Sequence, residues 1–405
     1  MNRRQFLSAS VGLALAPAAG ARDWLWNSCL DARPPDDAAL RAILDVTFDG
    51  LDPAQVWDVH VHLAGVGDKD SGIWANPRMD AWWHPVEYLR KRFYMNAACA
   101  RDDAAYVARL HALYAPMPAG VRALLFAFDH CYRENGVRDL DASAFHVPNE
   151  YAARVAAVHP DRFEWAASVH PYRADAVPAL ERAAATGARA VKWLPAAQGM
   201  DPASPRCDAF YAALARLNLP LITHAGDEMA VNSATGHYGN PLRLRRALDN
   251  GVRVIVAHCA SLGEGVDLDR GPNAPRVSNF DLFLRLMDDP RYTGRVFGDV
   301  SNVTARLRAV VLPTLLERTD LHDRLLYGSD YPIAGVVPII SHALLARREL
   351  LAEADIAPLE ALRSHNPPLF DLALLRRLRY RGQRFAATVF ETRRVFEPHT
   401  ALARS

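Results

Sequence analysis

The 405-residue chain is 50% hydrophobic and 23% charged, with a formal net charge of +1. These values belong to an ordinary globular protein with material for a large core, and they exclude a disordered, coiled-coil or collagen-like chain. Near-neutral charge with Lys and Arg scattered along the sequence argues against nucleic acid and leaves a small molecule as the expected partner.

Asn2-Arg3-Arg4-Gln5-Phe6-Leu7 sets paired arginines before a mildly apolar run reaching about Ala19, and Ala19-Gly20-Ala21 offers a small-residue cleavage site. This order over residues 1–21 resembles a twin-arginine signal peptide, and its apolar run is too short to span a membrane. The expectation is export of the precursor by the Tat machinery and a periplasmic mature protein. Residues 22–54 read as an N-terminal extension with a short helix near 37–44. The five cysteines, Cys29, Cys99, Cys131, Cys207 and Cys259, are too few and too irregularly spaced for a disulfide framework or a Cys-x-x-Cys zinc site, and leave room for one or two bridges.

Val56-Trp57-Asp58-Val59-His60-Val61-His62-Leu63 is the first strand candidate. Residues i and i+2 of a strand share a face, so His60 and His62 project together, Val59 and Val61 point the other way, and Asp58 shares the face of His60 one step deeper. Two imidazoles so placed form a metal-ligand pair. An insertion at about 68–118 follows, rich in aromatics (Trp74, Trp82, Trp83, Tyr88, Phe93, Tyr94), which reads either as a pocket wall or lid or as a buried packing segment.

Further strand candidates lie at 121–129, 163–170, 188–194, 220–224, 252–258, 296–302 and 325–328. Helical patterns follow them at 149–158, 174–185, 205–217, 241–249, 279–287, 306–316 and 337–350. Strands alternating with helices imply a parallel sheet, and eight such units in one uninterrupted chain predict a (β/α)₈ TIM barrel over residues 55–356. No Gly-x-Gly-x-x-Gly follows the first strand, so a dinucleotide fold has no support. Residues 357–405 read as a C-terminal helical tail, with a helix at 367–378, that caps or flanks the barrel.

Barrel active sites lie at the C-terminal ends of the strands. Strand 1 brings His60 and His62 there, strand 4 Lys192, strand 5 His224, strand 6 His258 and strand 8 Asp330. Singly, each has an ordinary explanation: a surface lysine, hydrogen-bonded strand-end histidines, a helix-capping aspartate. Together, imidazole and carboxylate are the donor set that Zn²⁺ and similar ions take. His170 and Asn302, at the ends of strands 3 and 7, are candidates for substrate contact. Asp227 and Glu228 are candidates for orienting imidazole N–H groups.

Asp58-Val59-His60-Val61-His62, Leu221-Ile222-Thr223-His224-Ala225-Gly226 and Tyr327-Gly328-Ser329-Asp330-Tyr331-Pro332 make the chain similar to the amidohydrolase superfamily. The similarity is greatest to the branch called amidohydrolase 2, which includes metal-dependent hydrolases and decarboxylases of the aminocarboxymuconate semialdehyde type. The resemblance implies that His60, His62, His224 and Asp330 hold a divalent metal, with Zn²⁺ the first choice. It makes Asp330 the catalytic base and His258 a second catalytic group. One ion is expected, or two if Lys192, carbamylated, and His258 join the ligands. The implied activity is a hydrolase using a metal-activated water against an ester, lactone, amide or C–C bond beside a carbonyl. The alternative is non-oxidative decarboxylation of an aromatic or muconate-like acid, and a third reading is a non-catalytic binding protein on a degenerate barrel. A homo-oligomer is compatible with each.

Overall fold

Eight short strands carry the architecture: β1 (Trp57–His62), β2 (Arg122–Phe126), β3 (Phe163–Ala166), β4 (Val191–Trp193), β5 (Leu221–His224), β6 (Val254–Ala257), β7 (Val296–Asp299) and β8 (Leu325–Leu326). The computed structural model describes residues 36–397 apart from 232, 234, 272, 337 and 338. Successive strands pair in parallel from β1 to β3 and from β4 to β8. Ala167 N–H to Ala190 O (2.9 Å) and Lys192 N–H to Ala167 O (2.7 Å) join β3 to β4, and Val59 N–H to Tyr327 O (3.1 Å) joins β8 to β1. The sheet therefore closes, and the fold is the expected (β/α)₈ barrel.

Both faces of these strands are buried, as their near-continuous apolar runs require. Inward-facing Trp57, Leu124, Ala166, Ala190, Ile222, Ile255, Phe297 and Leu326, one contributed at each strand, form a barrel-interior cluster with Val395 and Phe396 of the tail. Phe396 stacks on Trp57 with ring centroids 5.9 Å apart, and Thr392 Oγ1 donates to Trp57 O at 2.6 Å. The tail thus plugs the end of the barrel opposite the strand C-termini. The outward faces pack with the surrounding helices into a second, larger core.

Several helices are shorter than periodicity predicts. Residues 205–217 divide into a 3₁₀ turn at Pro205–Cys207 and a helix at Asp208–Arg216, and 241–249 into Pro241–Leu244 and Arg245–Asp249. The pattern at 306–316 is a 3₁₀ turn at Ala309–Val311 and α-helical only from Leu312, because Arg306 N–H is taken by Ile339 O and Ala305 bridges Ile340. The helix expected near 37–44 spans Asp37–Phe48, with the Asp36 side chain accepting from Ala39 N–H. Residues 1–35, with the expected signal segment, lie outside the described residues. Cys131, Cys207 and Cys259 are free, whereas Cys99 is disulfide-bonded. No described helix is long and apolar enough to cross a membrane.

Strict alternation fails in β1. The register of β1 on β2 shifts between Asp58 and Val61, and Val59 joins Trp57 in the barrel interior instead of opposing His60. Asp58 does not share the face of His60: its Oδ2 accepts from Tyr114 Oη (2.6 Å), on the helix Asp103–Tyr114. An irregularity of this kind re-aims side chains, and here it turns both His60 and His62 onto the barrel mouth. Asp58 Oδ1 accepts N–H groups of Ser329 (2.8 Å) and His60 (3.2 Å), pinning β1 to the loop after β8, and burial pushes its carboxyl up to about 6.

Asp58→Ala leaves the Ser329 N–H and the Tyr114 hydroxyl buried without an acceptor, so it should destabilise the fold by about 3 kcal/mol. The measurement is the urea midpoint; a loss below about 1 kcal/mol would show that barrel closure does not depend on this carboxylate.

Candidate metal centre and active site

Three of the residues at the mouth adopt left-handed backbone conformations that side chains rarely take: His258, Asn302 and Asp330 each have φ of 55°. Such strain collects at functional sites and persists only where neighbours over-determine it. Asp330 N–H donates to His60 O (2.9 Å) and its own carbonyl accepts from Ile333 N–H (2.8 Å), which fixes the carboxylate above β1.

A lower layer of hydrogen bonds sets the imidazole tautomers. Asp299 closes β7 and is fully buried; its Oδ2 accepts from His60 Nδ1 (2.9 Å), and its Oδ1 accepts from the N–H groups of His258 (2.9 Å) and Ser301 (3.1 Å) and from the Ser301 hydroxyl. With the proton on Nδ1, His60 Nε2 is bare. His258 follows the same logic, because its Nδ1 lies 3.0 Å from the Ser301 carbonyl, which only accepts.

The upper layer faces the cleft. Asp330 Oδ1 lies 3.4 Å from His60 Nε2 and 3.2 Å from His62 Nε2, yet it is buried with no hydrogen-bond partner. Its Oδ2 accepts from Asn302 Nδ2 (3.0 Å) and lies 3.9 Å from His258 Nε2. Burial, the largest influence on Asp330, raises its carboxyl, but its interactions with His60, His62 and Lys192 outweigh it and hold the group below the usual carboxylate range. His60, His224 and His258 are held well below the ordinary imidazole range, by burial first in each case and by the Lys192 charge next for His60. Bare ring nitrogens and a carboxylate oxygen in this proximity repel one another until a cation sits among them. His60, His62 and Asp330 form a group able to hold an ion, and their nitrogen and oxygen donors suit Zn²⁺ or Mn²⁺. The other such group among the described residues, His60, His258 and Asp299, is already engaged through the Nδ1 hydrogen bonds of the lower layer.

Lys192 is no surface lysine. It is 1% exposed, with Nζ 3.2 Å from His60 Nε2 and 4.6 Å from the centre of the Phe126 ring, and burial pulls its ammonium down to about 8 against the attraction of Asp299 and Asp330. His224 stands beside the cluster, its ring centre 5.4 Å from that of His258, and directs Nε2 to Glu228 Oε2 at 3.2 Å. Glu228, whose carboxyl burial raises, also takes the N–H groups of Ala230 and Val231. His170 is not brought to the site. β3 ends at Ala166, and the His170 imidazole is consumed by Gln198 O (3.0 Å) and Tyr172 N–H (3.1 Å), so the expected substrate contact is corrected to a packing role. Asn302 does reach the cleft, where it holds Asp330. Asp299 and Ser301 are the residues that sequence reasoning missed: strand 7 was read through to Asn302, three residues beyond its end, although its last residue was already an aspartate.

Above the cluster opens a cleft of about 480 Å³. The insertion supplies one wall with Ile73, Met79, Tyr94 and Met95, and Phe128, Phe145, Leu194 and Met229 continue the apolar lining. Tyr94 Oη donates to Ala230 O (3.0 Å), tying the wall to the loop that carries Glu228. The insertion's aromatics divide, since Trp82 and Trp83 are 74% and 67% exposed and take no part in the lining.

Residues 57–368, well over half of the chain, match the model of a family described as amidohydrolase. Among solved structures, an uncharacterised TIM-barrel protein of Bordetella bronchiseptica is 16% identical, with 76% of this chain and 98% of that one covered and a TM-score of 0.47. A putative 2-pyrone-4,6-dicarboxylic acid hydrolase of Pseudomonas putida is 16% identical (78% and 97% covered, TM-score 0.42). A dihydroxybenzoic acid decarboxylase of Polaromonas, solved with bound manganese and an inhibitor, is 13% identical (78% and 97% covered, TM-score 0.41). No curated protein matches the chain. The family match spans all eight strands and the loops bearing the clustered histidines and Asp330, and the chain belongs to the amidohydrolase family, as an enzyme of the amidohydrolase superfamily with a site for a divalent metal.

Proposed function

We propose that this cleft hydrolyses an ester, lactone, amide or C–C bond next to a carbonyl in a small substrate with an apolar body. The observation that carries the reading is the buried, unpartnered Oδ1 of Asp330 between the imidazoles of His60 and His62 on the cleft floor. His60, His62 and Asp330 would hold the cation, with His224 a further candidate ligand and Zn²⁺ the first choice. A divalent ion bound there supplies Lewis acidity, polarising a carbonyl oxygen and making water a stronger acid.

The chain's own groups do the rest. Asp330, kept ionised and oriented by Asn302, accepts the proton of the attacking water and returns it to the leaving group. His258 turns a bare Nε2 to the cleft, so as a neutral imidazole it accepts a proton or hydrogen bond; the Ser301 carbonyl holds the proton that donation to a leaving group would require. Lys192 places a buried positive charge beneath the site, and the apolar walls exclude water, which strengthens each of these interactions. Decarboxylation of an aromatic acid would use the same groups with Asp330 moving a proton onto carbon, and the apolar lining by Phe128 and Phe145 suits an aromatic ring.

The sequence of residues 1–21 supports export through the twin-arginine route, and the Cys99 disulfide suits an oxidising compartment. We place the mature protein in the periplasm on that basis.

Asp330→Asn should lower kcat about a thousandfold while circular dichroism stays unchanged, and wild-type turnover in this variant would move the base elsewhere. The substrate screen pairs esters, lactones and amides with aromatic carboxylates under CO₂ detection, since CO₂ release without hydrolysis would select the decarboxylase reading.

Asp299→Asn removes the acceptor that fixes His60 and should weaken Zn²⁺ binding 10- to 100-fold in a chelator competition. Unchanged affinity would separate the lower layer from the metal site. Changing Arg3 and Arg4 together to Lys should leave the precursor in the cytoplasm, and normal secretion of that variant would count against the twin-arginine route.

A further inference from the structure

Arg308 stands out among the arginines. Arg173, Arg243 and Arg285 each pair with a carboxylate within 3.0 Å. Arg308 is 7% exposed and lines the cleft, yet its side chain makes a single hydrogen bond, Nη1 to Ser261 Oγ at 3.2 Å, and among the described residues no carboxylate lies within 4.0 Å of it. A buried guanidinium without a counter-ion is unfavourable unless an anion completes it. The charged groups that line the cleft are Lys91, Lys192, Arg306 and Arg308 with Glu228 and Asp330. Asp330, Glu228, Asp299 and Asp227 act on Arg308 only through space.

We propose that Arg308 is a specificity-determining residue that receives a carboxylate borne by the apolar body of the substrate. A guanidinium presents a planar fork of donors that matches both oxygens of a carboxylate, and the Ser261 hydroxyl occupies only one of those donors. The loop geometry supports the placement. Ala305 bridges Ile340, Arg306 N–H is held by Ile339 O and Arg308 N–H by Ala305 O, so the segment is pinned to residues 339–340 and Arg308 is set before any ligand arrives. The apolar lining takes the rest of the molecule, so the class is an apolar or aromatic organic acid. This inference rests on the cleft being the substrate site but not on the reaction performed there.

The test is equilibrium binding to the Zn²⁺-loaded full chain, with benzoate as probe and benzamide as its neutral isostere. Wild type should bind benzoate at least tenfold more tightly than benzamide. Arg308→Met should weaken benzoate about 30-fold and leave benzamide within twofold, which also shows that the cleft is intact. Arg308→Gln, polar and uncharged, serves as the second variant if the methionine does not fold. Repeating the titrations without Zn²⁺ separates a carboxylate held by the cation from one held by Arg308, since the Arg308-dependent difference should persist. The proposal is overturned if wild type shows no preference for benzoate, or if a variant with intact benzamide binding keeps wild-type benzoate affinity. A failed Asp330→Asn prediction would remove the catalytic reading and leave these titrations standing.

Discussion

The mouth of this barrel is organised by one buried carboxylate. Asp299 receives the imidazole of β1, the backbone at the end of β6, and the N–H and hydroxyl of Ser301 in its own loop, so the ends of three strands converge on two oxygen atoms. A fully buried carboxylate is tolerable only when its lone pairs are filled in this way. The arrangement also has a chemical consequence. By taking the Nδ1 proton of His60 and positioning Ser301 against Nδ1 of His258, it bares the two Nε2 atoms that face Asp330. This hydrogen-bond cluster therefore decides what the exposed side of each ring is able to do.

That arrangement needs a backbone out of its ordinary course. β1 slips in register before Val61, and the loops after β6, β7 and β8 enter the left-handed region at His258, Asn302 and Asp330. Each such residue costs about 1 kcal/mol. The strain is held by specific bonds: Asp330 N–H to His60 O, His258 N–H to Asp299, and Asp58 bridging His60 and Ser329. The closure of the barrel between β8 and β1 and the placement of Asp330 over His60 and His62 are thus one structural event.

Much of this was readable from period and position. His60, His62, His224 and His258 stand at or just past strand ends because their apolar runs stop there, and the alternation of runs with helical patterns carried the barrel. The losses have local causes. A single shifted register leaves no mark in composition, so strict alternation puts Asp58 and Val59 on the wrong faces. The apolar runs of strands 3 and 7 continue several residues beyond the strands themselves, which places His170 at a mouth it does not reach and hides Asp299 inside the strand it terminates. Lys192 was decidable in principle: it shares parity with Ala190, and both turn inward. Arg308 left no sequence signal, since what distinguishes it is the absence of a partner, a property only of the folded chain.

Burial at the cleft floor acts on its groups in opposite directions, and the site depends on the balance. Desolvation alone would neutralise every ionisable group there, and it does so for His60, His224 and His258, whose neutral rings keep their lone pairs available. Asp330 escapes because its interactions with His60, His62 and Lys192 together counter its burial, so the carboxylate stays charged. Lys192 sits between these outcomes at about 8, drawn down by burial and up by Asp299 and Asp330. The walls supplied by Ile73, Met95 and Phe128 therefore belong to the electrostatics as much as to the binding surface. Water admitted past them would relax the desolvation that keeps the rings neutral and weaken the attraction that keeps Asp330 ionised, because both depend on the same low local dielectric.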